Sequence, residues 1–64
     1  KLDAAYLNLG WLYEKQNEPK LAQEYYKKAY KLGKGNSIAN LAAIRFNKID
    51  ELQPQKNFQV NVSR

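Results

Sequence analysis

The chain's sequence predicts an all-α fold of three short helices followed by an extended tail, on three observations. Apolar residues recur at steps of three and four from Leu2 to Leu52. Two short interruptions, Gln16-Asn17-Glu18-Pro19 and Gly33-Lys34-Gly35, break that spacing with turn-forming residues. Beyond Pro54 the period changes, and Phe58, Val60 and Val62 alternate with Gln59, Asn61 and Ser63. The chain therefore divides into one helical unit over residues 1–53 and an extended or disordered tail over residues 54–64.

The first helix is expected over residues 3–15, with Leu2, Ala5, Tyr6, Leu9, Gly10, Leu12 and Tyr13 gathered on one face that narrows at Gly10. Asn17 tolerates the left-handed conformation that closes a helix, and Glu18-Pro19 then opens the next with a proline already set at the helical φ. The second helix, residues 19–33, turns Leu21, Ala22, Tyr25, Tyr26, Ala29, Tyr30 and Leu32 inward and stops at Gly33 and Gly35. Asn36 or Ser37 caps the third helix, residues 37–52, whose stripe is Ile38, Leu41, Ala42, Phe46, Ile49 and Leu52, ended by Pro54. Short links favour antiparallel neighbours, so the first two helices pair and the third stacks on the second.

Composition excludes several kinds of chemistry. The sequence of 64 residues contains no Cys and no His, so thiolate zinc sites, disulfides and the usual neutral-pH general base are all missing. The adjacent Asp50 and Glu51 lack a nucleophile or phosphate loop to work with and read as the surface of a helix end. No enzymatic activity, cofactor or metal is expected. No apolar run approaches the length of a membrane span. Eleven basic residues against six acidic ones give a net charge of +5. Lys20, Lys27, Lys31 and Lys34 share one side of the second helix, interrupted by Glu24, which is placed to pair with Lys27 or Lys28.

The opening aromatic stretch has a further meaning. Tyr6-x-x-Leu9-Gly10-x-x-Tyr13, then Ala22-x-x-x-Tyr26, then Ala29 resembles the tetratricopeptide repeat, with Tyr6 standing for its Trp and Tyr26 for its Phe. The signature's late Pro falls on Lys34. Lys28-Ala29-x-x-x-Gly33 followed by Asn40-Leu41-Ala42 also resembles the related Sel-like repeats. Asn8-Leu9-Gly10 returns as Asn40-Leu41-Ala42, and Tyr13 becomes Arg45. The third helix therefore resembles a degenerate first helix of a next repeat. On this reading the chain is a terminal fragment of an α-solenoid, one repeat with a capping helix.

The small residues Gly10, Ala22 and Ala29 sit where paired helices approach closely, and Tyr6, Tyr13 and Tyr26 fill the space beside them. Trp11 lies off that stripe, with Ala4, Leu7, Asn8, Glu14 and Lys15, on the side that in the resembled family faces a concave groove; cover by a neighbouring repeat is the equal alternative for its ring. The resemblance thus implies a non-catalytic protein-interaction module or scaffold that holds a peptide or protein segment. Leu7, Asn8, Trp11, Lys15, Asn40 and Arg45 are the candidate contacts. Groove-facing Lys, Asn and Arg residues in some members of that family grip acidic carboxyl ends, so an acidic partner is one expectation. The alternative is a basic surface that uses the Lys row of the second helix to bind nucleic acid or an anionic membrane. That alternative is the less favoured one. Phe58, Val60 and Val62 are expected to lie against the chain's own helices as a terminal cap, the alternatives being a disordered tail or a strand paired with another chain, and self-association through repeat stacking or that strand is a further expectation.

Overall fold

A computed structural model describes residues 1–52, which form three helices: α1 (Leu2–Lys15), α2 (Pro19–Gly33) and α3 (Ser37–Glu51). The expectations for the tail lie outside the described residues. α1 and α2 form an antiparallel pair, and α3 stacks chiefly on α2 with a smaller contact to α1.

Each helix end follows from a residue type. α1 closes with Asn17 at φ 66°, the Glu18 N–H donating to the Tyr13 carbonyl at 2.9 Å and the Asn17 N–H to the Glu14 carbonyl at 3.1 Å. Two crossed bonds of this kind satisfy carbonyls that have no partner inside the helix. Pro19 occupies the first turn of α2. The end of α2 places Lys34 at φ 49° and Gly35 at φ 83°. Proline cannot adopt a positive φ, which accounts for the departure from the repeat signature at Lys34. Asn36 caps α3, its Oδ1 accepting from the Ala39 N–H at 2.8 Å. The Asn36 Nδ2 donates to Asp3 Oδ2 at 3.0 Å and ties the start of α3 to the start of α1.

Leu7, Ala22, Tyr26, Ala29, Ala42 and Ile49 make the core, with Tyr6, Tyr13, Ile38 and Phe46 packed against it. Ala22, Tyr26, Ala29 and Ala42 are fully enclosed. A Cβ added at Gly10 would lie less than 3.0 Å from Cδ1, Cε1 and Cζ of Tyr26. The missing side chain on α1 is the space that the Tyr26 ring fills. Gly33 has the same role one layer on, since a Cβ there would come within 2.9 Å of the Ala39 Cβ.

Several expected interior residues are exposed instead. Leu2, Leu12, Leu21, Tyr30, Leu32, Leu41 and Leu52 remain between 37% and 69% accessible. Two layers of helix cannot cover all the apolar stripes that the sequence offers. Tyr25, by contrast, is only half-buried and stacks with Tyr6 at 5.8 Å and Tyr13 at 5.4 Å between ring centroids. The Lys28 ammonium sits 5.8 Å from the Tyr6 ring centroid.

Candidate functional site

The polar centre of the molecule is a three-helix junction around Glu14. The Tyr26 hydroxyl, from α2, donates to Glu14 Oε1 at 2.7 Å. Arg45, from α3, donates from Nη2 to Oε2 at 2.8 Å and from Nε to Oε1 at 3.3 Å. The junction has a simple origin. Glu14 sits one helical turn beyond Gly10, and the Tyr26 ring lying over Gly10 points its hydroxyl toward that turn.

These contacts set the protonation states. Burial pushes the Glu14 carboxyl up, but hydrogen bonds from Tyr26 and Arg45 together with the Arg45 charge outweigh it and hold the group below its ordinary range. Burial first, and then the Glu14 hydrogen bond and charge, push the Tyr26 hydroxyl well above its ordinary value. Tyr26 is therefore a fixed neutral donor and Glu14 a fixed anion at neutral pH. Among the described residues, no buried side-chain polar atom is left without a partner.

The junction opens onto the surface between α1 and α3. Trp11, Glu14, Lys15 and Arg45 line a depression of about 190 Å³ there. Trp11 is 40% exposed, and the Arg45 side chain is 39% exposed. Arg45 spends Nε–H and Nη2–H on Glu14, so its remaining N–H groups stay available to the depression.

The six residues expected to meet a partner are distributed as follows. Trp11, Lys15 and Arg45 come together in this depression. Asn8 is exposed one turn before Trp11, on the same side of α1. Asn40 is exposed on α3 and does not line the depression. Leu7 corrects the expectation, because it is 3% accessible and belongs to the core. It joins the core cluster that also contains Ala42 and Ile49 of α3. Glu14 shares that side of α1 in the sequence but is not among the six, and its pairing with Tyr26 and Arg45 depends on how α2 and α3 pack rather than on spacing within α1.

Beyond α1, the outer side of α2 carries the exposed residues Lys20, Lys27, Lys28, Lys31 and Lys34. The expected pairing of Glu24 with Lys27 or Lys28 does not form. A groove of about 310 Å³ runs beside these lysines, lined by Tyr26, Lys27, Tyr30, Ala42, Ala43, Phe46 and Asn47.

With the close approach at Gly10, the ring of Tyr26 and the small residues of α2 in place, comparison with known families gives a match to the tetratricopeptide repeat over residues 3–33. Residues 3–33 are a tetratricopeptide repeat. The third helix stacks on this repeat as one further helix. Comparison with curated proteins and with solved structures gave no match. A tetratricopeptide repeat is typically a protein–protein interaction module and is usually non-catalytic. No helix among the described residues is long and apolar enough to cross a membrane. No group of three or more His, Cys, Asp or Glu residues placed to hold a metal ion occurs among them.

Proposed function

We propose that the chain is a scaffold module that holds a peptide or protein segment against the α1–α3 side of the repeat, with Trp11, Lys15 and Arg45 as its contacts and Asn8 at the rim. The observation that carries this reading is the placement of an exposed Trp11 beside an Arg45 guanidinium that Glu14 already orients. A large rigid aromatic contributes contact area at small entropic cost, and a pre-oriented guanidinium loses little freedom when it binds.

The partner's chemistry follows from what the depression leaves unsatisfied. Lys15 forms no ion pair among the described residues, and Arg45 retains free donors. A segment carrying an apolar side chain for Trp11 and a carboxylate or backbone carbonyl for the two cations complements both. Glu14 limits how acidic that segment can be, because its own charge offsets that of Arg45 at close range. Selection from a random peptide library tests the proposal. Enriched sequences should pair apolar with acidic positions, and Trp11→Ala and Lys15→Ala should each weaken their binding at unchanged helix content. Retention of full affinity by both variants refutes it.

A further inference from the structure

We infer that the outer side of α2, together with the groove it forms with α3, is a binding site for single-stranded nucleic acid. This surface is separate from the α1–α3 depression and does not depend on that reading.

Charge is the first observation. α2 carries four lysines and one glutamate. α1 sets Lys15 against Asp3 and Glu14, and α3 sets Arg45 and Lys48 against Asp50 and Glu51. The helical part of the chain therefore concentrates its positive charge on one element. Lys20, Lys27 and Lys31 follow helical spacing over about 17 Å at 1.5 Å per residue, opposite the buried Ala22, Tyr26, Ala29 and Gly33, and Lys34 follows just beyond the end of the helix. Glu24 stands beside Lys27, Lys28 and Lys31 but makes no ion pair with them, so it offsets only part of the charge on a side where five lysines are exposed. A rigid line of exposed ammonium groups suits a flexible phosphate backbone.

The groove beside the row is the second observation. Lys27 belongs to both, standing at the edge of a cleft that also contains Tyr30, Phe46 and Asn47. Its volume of about 310 Å³ falls within the roughly 300–1,000 Å³ of small-ligand clefts. Packing does not consume the Tyr30 ring, which is 53% exposed, whereas Tyr25 is engaged with Tyr6 and Tyr13. Single-stranded nucleic acid is gripped where a basic track runs beside aromatic rings on which bases stack. Here the phosphates follow the lysines, one base lies against Tyr30 and Phe46, and the Asn47 amide offers a donor and an acceptor to the edge of that base.

A membrane surface fits less well. Ala22, Tyr26 and Ala29 are committed to the core, and the exposed Leu21, Tyr30 and Leu32 of α2 are separate side chains flanking the lysine row, not the continuous apolar face that an interfacial helix buries in a membrane.

Fluorescence anisotropy of a labelled oligouridylate, titrated with the full chain across a salt series, tests the inference. The expected result is saturable binding whose logarithm falls against the logarithm of salt concentration with a slope of about −3, from four phosphate contacts at about −0.7 each. Lys27→Ala combined with Lys31→Ala should reduce that slope by about 1.4 and weaken binding by about tenfold or more. Tyr30→Leu, which keeps an apolar side chain in place, should weaken binding by about fivefold to a hundredfold and leave the slope unchanged. Trp11→Ala should change neither. Absence of binding at low salt overturns the inference, as does an unaffected Tyr30→Leu variant. Equal or tighter binding to phosphatidylserine vesicles, abolished by the same lysine changes, also overturns it and assigns the row to a lipid surface.

Discussion

The Arg45 guanidinium and the Glu14 carboxylate, 31 positions apart in the chain, face one another through two hydrogen bonds, Nη2 to Oε2 at 2.8 Å and Nε to Oε1 at 3.3 Å. This pair fastens the third helix to the first. In the repeat pattern Arg45 stands where α1 has Tyr13, so an ion pair replaces an aromatic contact at that position. Both groups are partly exposed, which keeps the contribution modest. Arg45→Met should destabilise the fold by about 1 kcal/mol. A double-mutant cycle with Glu14→Gln, read by chemical denaturation, checks it. Additive effects would show that the two groups do not act as a pair.

Tyr26→Phe removes the donor from α2 and leaves the ring over Gly10 in place. A hydrogen bond to a charged acceptor is worth about 1.5–3 kcal/mol, so this change should cost more than Tyr13→Phe, whose ring stacks on Tyr25. Comparison of the two melting temperatures measures the difference. Equal values would place the Tyr26 hydroxyl outside the energetics of the fold.

Stability should fall at both extremes of pH. The Glu14 pKa is lowered in the folded state from an ordinary value of 4.5, so its contribution is fully present above that value and is lost as pH falls through the folded one. Asp3 acts in the same sense. The Asn36 amide, followed by the terminal ammonium of Lys1, holds its carboxyl down to about 2. Tyr26 acts at the other end. Its pKa is raised from 10.0, so its contribution is present below that value and is lost as pH rises above it. Melting temperatures across pH should therefore decline below about 4.5 and above about 10. Tyr26→Phe should flatten the alkaline branch, and an unchanged alkaline branch in that variant contradicts the assignment.

Gly10→Ala should destabilise although alanine is the better helix former. The added Cβ meets the Tyr26 ring, and overpacking costs about 1–3 kcal/mol against a propensity gain of up to about 1 kcal/mol. A melting temperature equal to or above that of the parent chain would mean that the α1–α2 approach is looser than this geometry.

Lys34 adopts φ 49° and ψ 53°, a region that costs a residue with a side chain about 1–2 kcal/mol. Lys34→Gly should raise stability by up to about 1 kcal/mol. Lys34→Pro restores the signature residue of the repeat but should unfold the end of α2, because proline fixes φ near −65°. Denaturation midpoints of the two variants should move in opposite directions.

The sequence showed the helices well and the surface of the site less well. Caps and stops are local chemistry, and Asn17, Pro19, Gly33 and Asn36 mark the observed ends to within two residues. The α1–α2 contact was readable because Gly10, Ala22 and Ala29 leave gaps that large neighbours fill. Leu7 was misplaced because the apolar residues of α1 extend around much of its circumference, and packing against the other helices decides which of them are enclosed. Ala39 was missed for a related reason, since a small residue leaves little trace in a hydrophobic pattern yet is fully buried against Gly33. Arg45 was seen as a free groove cation. Its partner is fixed by how α3 stacks, and residue spacing does not reveal that.

The central claim is that a partner segment lies on the α1–α3 side of the repeat, and Trp11, the single tryptophan of the chain, reports on it directly. Titration with an apolar, acidic peptide should shift Trp11 emission to the blue in a saturable manner as the ring leaves water. Lys15→Ala should weaken the response, and Lys27→Ala combined with Lys31→Ala should leave it intact. Peptide binding shown by calorimetry with no change in Trp11 emission would contradict the account and place the partner on another face.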